Sequence, residues 1–257
     1  MILCLDVGNS HLFGGVFDRN KLLLRFRHQS KAVTSDEIGI FLKAVLRENN
    51  VDPALIKHIA MCSVVPNIDY SLRSACLKYF ACEPFIVQSG IKTGLNINYR
   101  NPIEVGADRI TTAIASSSLF PNTNIINIDF GTATTLCAIS ANKNYLGGAI
   151  MPGLRLAMES LQSHAAKLPS VEILKPQEVV GRSTIESIQS GLYMSTLGGC
   201  RELISRVKQE AFHGKPSKVI ATGGFASLFE GQGLYDLNLP DLVLDGLRIA
   251  LEQNLSL

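Results

Sequence analysis

Apolar and polar positions along this chain change period several times, and each change marks an element. Residues 2–5 are an unbroken apolar run short enough for a buried strand. The stretch 11–29 follows as two apolar runs around the polar turn Asp18-Arg19-Asn20-Lys21, the pattern of a hairpin. Over 36–48 the period becomes helical, with Ile38, Phe41, Leu42, Val45 and Leu46 on one stripe. Residues 57–66 read as a strand ending in a turn at Ser63 to Pro66. Pro66 then starts a helix with Leu72, Cys76, Leu77 and Phe80 on one face. A short strand at 84–88 closes this half.

The second half repeats the order. The strand Ile-Ile-Asn-Ile-Asp (125–129) leads into two strands within 133–153, joined by the turn Ala141-Asn142-Lys143-Asn144. Helical patterns follow near 153–163 and 182–212. Residues 218–226 then give a strand, a Gly-Gly turn and a helix, and a last helix covers about 244–254. Both halves therefore run strand, Asp-x-Gly, hairpin, helix, strand, tight turn, helix: a repeat of pattern rather than of sequence. A gently polar segment, 88–122, joins them. The expected architecture is α/β, with two similar domains (1–120 and 121–257) facing each other across a cleft.

Composition narrows the class. The chain has 257 residues, 46% hydrophobic and 18% charged, below the roughly 25% charged of an average soluble chain. A net charge of +2 gives neither a nucleic-acid groove nor a polybasic membrane patch, so neither nucleic acid nor membrane is an expected partner. The five histidines are too scattered for a metal site, and the six cysteines contain no Cys-x-x-Cys pair. They read as small buried hydrophobes in a reducing compartment. Asp6 interrupts the only apolar run near the N-terminus, so the expected location is the cytoplasm.

The chemistry sits where apolar strands end in an acid: Asp6 before Gly8, Asn9 and Ser10, and Asp129 before Gly131, Thr132 and Thr134. One such Asp can simply cap its own turn. Two at equivalent places can instead meet at one cleft and hold a divalent cation, for Mg²⁺ through water. Glycines there bare backbone N–H groups for phosphate oxygens, and short hydroxyl and amide side chains add donors. Neither a P-loop nor a GxGxxG pattern occurs. Further on, Asn101 and Pro102 read as the start of a helix that would put Glu104 and Asp108 one turn apart. That like-charge pair disfavours the helix and suggests a functional acid, or else a solvated acidic face.

The stretches DVGNS (6–10), DFGTATT (129–135) and ATGGFA (221–226) resemble the two phosphate motifs and the adenosine motif of the actin-like/sugar-kinase ATPase superfamily. That resemblance implies two duplicated actin-like (ribonuclease H-like) domains, each a mixed sheet flanked by helices. With NYRNPIEVGADRITTA (98–113), SVVP (63–66) and GGAIMPG (147–153) added, the chain resembles the type III pantothenate kinases over nearly its full length.

The resemblance implies ATP-dependent phosphorylation of pantothenate, the first step of coenzyme A biosynthesis, by a homodimer needing Mg²⁺ and K⁺ or NH₄⁺. Asp108 falls on the catalytic base. Tyr99, Gly106, Ala107, Arg109 and Thr184 fall with it on pantothenate-binding positions. Asp6, Val7, Gly8, Asn9, Ser10, His11, Leu12 and Phe13 fall on the ATP phosphate loop, Thr132 on an ATP contact, and Gly223 and Gly224 on the adenosine motif. Asp129 matches the monovalent-cation position, and Asp6 meets Mg²⁺ through water. Ser183 to Glu186 also reads as a capping box, and Gly191, Ser195, Gly198 and Gly199 as a close helix contact, within the chain or between copies. Two rivals share the phosphate motifs: another acceptor on the same scaffold (a sugar or acetate kinase, or a polyphosphate hydrolase), and a nucleotide-binding accessory factor of gene regulation. A pure binding module has no chemical need for Asp108.

Overall fold

A computed structural model describes residues 1–30 and 34–255. In chain order the elements begin with β1 (Ile2–Val7), β2 (His11–Asp18), β3 (Lys21–Gln29), α1 (Ser35–Glu48), β4 (His58–Ser63), α2 (Pro66–Phe80), β5 (Phe85–Ile86) and β6 (Asn96–Ile97). They continue with α3 (Ala107–Leu119), β7 (Asn124–Phe130), β8 (Ala133–Ile139), β9 (Asn144–Pro152), α4 (Leu154–His164), α5 (Thr184–Glu210), β10 (Ser217–Thr222), β11 (Leu237–Asn238) and α6 (Leu242–Leu255).

The first sheet has the order β3-β2-β1-β4-β5 and the second β11-β10-β7-β8-β9-β6. Read from β9, the second sheet repeats the first strand for strand, with β6 added at its edge. In each, the central strand pairs antiparallel with the hairpin and parallel with the strand after the helices. The registers match as well. Asp6 lies opposite Phe13 and Cys62, and Asp129 opposite Thr135 and Thr222.

Two compact units form: 1–94 with 101–115 and 242–257, and 95–100 with 116–241. In the first, Leu3, Leu5 and Val7 pack with Ile59 and Met61 beneath Ile38, Leu42 and Leu46 of α1 and Ile68, Leu72 and Ala75 of α2. Strand alternation sends Cys4 and Asp6 to the opposite face. There α6 packs on β1, β2 and β4, and Gly246 crosses α3 so closely that a Cβ would overlap the carbonyl of Thr111. In the second unit Ile126, Ile128 and Phe130 pack against Ile188, Leu192, Leu197 and Cys200 of α5. Asn127, on the other face of β7, donates from Nδ2 to Ser116 Oγ at 2.9 Å.

This grouping differs from the expected division at 120/121. The segments 95–100 and 116–120 join the second unit, the former because β6 pairs with β9. The last helix joins the first, because its buried Leu244, Leu247 and Leu251 pack on that sheet. Thr34 caps α1 with a full capping box to Glu37. Pro66 opens α2 as expected, but the buried stripe is Ile68, Leu72, Ala75 and Cys76, with Leu77 exposed.

Candidate functional site

Asp6 is the penultimate residue of β1, half-buried, and accepts a hydrogen bond from the Cys62 thiol, Sγ to Oδ1 at 3.2 Å. Cys62 is fully buried. Burial, and after it the nearby charges of Asp6 and Asp108, push its thiol well above the ordinary range. Asp6 and Asp108 thus lie in one electrostatic neighbourhood of the first unit, 102 positions apart in sequence.

Asp108 reaches that place differently from the expected helix. Pro102–Glu104 make only a 3-10 turn, Val105 is extended, and α3 starts at Ala107. Gly106, poor in helix propensity, sits at the break. Glu104 and Asp108 therefore do not share a helix face. Asn101 donates from Nδ2 to Glu104 Oε1 at 2.8 Å but caps no backbone amide. Asp108 lies in the first turn of α3, where the helix dipole favours an anion. Its Oδ1 accepts the Arg109 amide at 2.8 Å. A Cβ at Gly106 would stand 2.5 Å from that oxygen, so the glycine leaves room for the carboxylate. Arg109 is only 9% exposed, a packed guanidinium rather than a free arm, and Ala107 accepts the Thr111 hydroxyl at 2.7 Å.

The loop after Asp6 offers less than its sequence suggested. Val7 and Leu12 bury their side chains in the core, so only their backbones can reach a ligand. The Gly8 amide donates to His11 O at 3.0 Å and the Gly131 amide to Ala133 O at 3.2 Å. Both amides are therefore engaged within their own turns. Asn9 and His11 are exposed, Ser10 is half-buried, and Phe13 lies under the Arg27 guanidinium, 4.9 Å from its ring centre.

In the second unit Asp129 is again the penultimate strand residue. Gly223, at φ +91°, lies so near that a Cβ would overlap Asp129 Oδ1, which leaves a cradle beside this carboxylate. Gly224 is exposed, and Phe225 N donates to Phe130 O at 3.2 Å, tying the Gly-Gly turn to the end of β7. A four-residue 3-10 turn, Ala226–Phe229, stands where a helix was expected. Thr132 is exposed and its carbonyl accepts the Gly153 amide at 3.1 Å. Thr134 is buried and presents no surface hydroxyl.

Tyr99, also in this unit, lies over Gly147 (φ +107°), whose absent Cβ would come 3.3 Å from the ring. Thr184 opens α5, exposed, in a groove of about 1160 Å³ lined also by Pro152, Leu156, Gly191 and Ser195. The other expected site residues of this unit do not line that groove. Ser183 caps α5 by accepting the Glu186 amide, while Glu186 reaches back to the Arg182 amide rather than closing the box. Among the described residues no three His, Cys, Asp or Glu cluster as a metal cage, and no helix is long and apolar enough to cross a membrane.

The family model of the type III pantothenate kinases matches residues 2–206. This chain belongs to that family. A type III pantothenate kinase of Legionella pneumophila (strain Corby) is 66% identical over 254 residues, 99% of each chain. Another from Elusimicrobium minutum is 49% identical over 257 residues, all of both chains. Among solved structures, one from Campylobacter jejuni, assigned provisionally to a Baf family of transcriptional activators, matches with TM-score 0.63 at 16% identity. It is covered completely, over 99% of this chain. The ethanolamine utilization protein EutJ of Carboxydothermus hydrogenoformans matches with TM-score 0.53 at 14% identity, over 98% of this chain and 89% of its own. At such identities the likeness is one of fold, the actin-like fold with its duplicated strand order. The sequence reads Cys62 only as a small buried hydrophobe; its hydrogen bond to Asp6 comes from the parallel register of β1 and β4.

Proposed function

We propose that this chain transfers the terminal phosphoryl group of ATP to the primary hydroxyl of pantothenate, giving 4'-phosphopantothenate and ADP, with Asp108 as the base. Family membership at 66% identity over 99% of the chain carries the reaction. The placement of Asp108 at a helix N-terminus, where its charge and that of Asp6 both act on Cys62, supports its role. The hydroxyl oxygen attacks the γ-phosphorus, the bond to the β-γ bridging oxygen breaks, and the hydroxyl proton passes to Asp108. Phosphoryl transfer asks mainly for positioning and charge stabilisation, so the residues that orient the two substrates matter as much as the base.

Asp6 is assigned to Mg²⁺ through water. A half-buried carboxylate, with no three His, Cys, Asp or Glu clustered as a cage among the described residues, suits an ion that keeps most of its waters and takes phosphate oxygens. Bound Mg²⁺ would supply charge neutralisation at the β- and γ-phosphates. Asp129, with the room left by Gly223, fits the monovalent cation, K⁺ or NH₄⁺. Residues 7–13, Thr132, Gly223 and Gly224 are assigned to ATP, and Tyr99, Gly106, Ala107, Arg109 and Thr184 to pantothenate. Of these, Val7 and Leu12 serve through their backbones. Open space around Gly191 and Gly198 on α5, with exposed Ile185 and Leu156 nearby, favours a homodimer seam. Six free cysteines, five of them buried, favour the cytoplasm.

The test is ADP release from ATP with pantothenate, with and without K⁺, in wild type and Asp108→Asn. Pantothenate-dependent, K⁺-stimulated turnover that collapses in the variant supports the reading. ATP binding without pantothenate-dependent turnover points instead to another acceptor or to a regulator.

A further inference from the structure

We propose that Cys62 is a positioning residue for Asp6: its buried thiol holds one carboxylate oxygen and fixes the orientation in which Asp6 meets the metal-bound nucleotide. The inference rests on the reading of Asp6 as the carboxylate that faces Mg²⁺ and phosphate. Three observations carry it.

Cys62 Sγ donates to Asp6 Oδ1 at 3.2 Å across a parallel strand pair in which the two residues are register partners. A donor on one carboxylate oxygen restricts rotation about the last side-chain bond. Second, Cys62 has no exposed surface, so the thiol itself meets no ligand from solvent, and its hydrogen bond is part-buried. Third, the other sheet makes the same substitution of a small hydrogen-bearing side chain at the same point. Thr222, 4% exposed, is the register partner of Asp129. Two unrelated residues, Cys and Thr, share little except size and an S–H or O–H donor. Both stand opposite the acid one residue before the end of the central strand.

A role in packing alone would treat Cys62 as a small hydrophobe, for which alanine is a mild change and serine a polar intrusion. A positioning role reverses that order, because serine keeps a donor and alanine loses it.

The experiment measures affinity for a non-hydrolysable ATP analogue by calorimetry, with and without Mg²⁺, in wild type, Cys62→Ala and Cys62→Ser. Turnover with pantothenate and the thermal midpoint are followed in parallel. The expected result is a loss of about three- to tenfold in Mg²⁺-dependent affinity for Cys62→Ala. Metal-free affinity should be unchanged, and serine should restore most of the loss. Wild-type affinity in Cys62→Ala overturns the proposal. So does an equal loss in both variants with and without Mg²⁺, which marks a packing defect, and so does a wild-type affinity that does not respond to Mg²⁺. Failure of the acceptor assignment is separate: wild type then binds the nucleotide with Mg²⁺ but shows no pantothenate-dependent turnover, and calorimetry still decides the role of Cys62.

Discussion

Gly223 meets two demands that alanine cannot, and their costs can be separated. Its φ of +91° lies where L side chains are strained, at roughly 1–2 kcal/mol for a non-glycine residue. A Cβ would also stand 2.6 Å from Phe130 N and 2.7 Å from Phe130 C, besides overlapping Asp129 Oδ1. Two of those three contacts are backbone, which yields less readily than a side chain, so overpacking adds about 1–3 kcal/mol. Gly223→Ala should therefore cost about 2–5 kcal/mol in all. Gly231 provides the control: its φ is +74°, and nothing lies within 4 Å of the Cβ position, so Gly231→Ala carries the backbone cost alone. Urea unfolding of both variants, followed by circular dichroism, measures the two. The difference between them is the steric part, about 1–3 kcal/mol. Equal destabilisation of the two variants, within about 0.5 kcal/mol, would refute the claim that Gly223 is required by its approach to β7. The displaced carboxylate should also blunt K⁺ stimulation in Gly223→Ala and leave it intact in Gly231→Ala.

Four further outcomes follow. Asp108→Asn should lower kcat by about 10²–10⁴-fold while the affinity for ATP holds; near-wild-type turnover removes Asp108 from the mechanism. Gly106→Ala adds a methyl 2.5 Å from Asp108 Oδ1 and should reduce kcat about tenfold or more by misplacing the carboxylate, with little change in the unfolding midpoint. An unchanged kcat would show that Asp108 needs no such room. Asp6→Asn should raise the Mg²⁺ concentration needed for half-maximal rate, and an unaltered Mg²⁺ profile counts against its role. Burial pushes the Cys76 thiol up to about 12 and the Cys200 thiol up to about 11. Their unfolded counterparts ionise near 8.5, so above that pH the unfolded chain binds fewer protons than the native one. Stability is thus full below about pH 8.5 and falls toward pH 11–12, by about 1.4 kcal/mol per pH unit for each thiol that resists ionisation. Unfolding curves between pH 8 and 11 test this, and a flat profile contradicts it.

Much of this was written locally in the sequence. An apolar run that ends in Asp-x-Gly reports a strand and the group it delivers, and both halves carry it, so the repeat and the two central carboxylates were legible. What stayed hidden depends on partners distant in the chain. The stripe Leu244, Leu247, Leu251 says that α6 is buried on one side but not on which sheet, and it packs on the sheet formed some 200 positions earlier. Strand β6 has only two residues and exists because β9 offers it an edge. Asn101-Pro102 is a sound start signal, yet the turn it starts closes after three residues, since Gly106 follows and the longer helix begins beyond it. Thr134 reads as a phosphate donor by type, but strand alternation turns it into the protein. The thiol on Asp6 depends on parallel register, which periodicity does not encode.

The duplicated sheets also show how one topology yields two different carboxylate environments. After β4 the chain turns through Ser63 to Pro66, where the Ser63 hydroxyl accepts the Val65 amide at 3.1 Å. Proline, with its fixed φ and missing donor, then launches the 15-residue α2. At the same point after β10 stand Gly223 and Gly224 instead of a helix-starting proline. Gly223 adopts a left-handed φ that brings its backbone against β7, and only a 3-10 turn follows. In the first arrangement Asp6 accepts a side-chain donor from the neighbouring strand. The second sets Asp129, as half-buried as Asp6, beside main chain. On the proposed reading the carboxylate held by a thiol faces a hydrated divalent ion at the phosphates, and the equally half-buried one beside the Gly223 backbone faces a larger, weakly hydrated monovalent ion. Removing the donor opposite Asp129 tests this directly: Thr222→Val should weaken K⁺ stimulation less than Gly223→Ala, because the Gly223 backbone adds to the strand partner in shaping that site. K⁺ stimulation lost as fully in Thr222→Val as in Gly223→Ala, with stability preserved, would show that the strand partner governs both carboxylates alike.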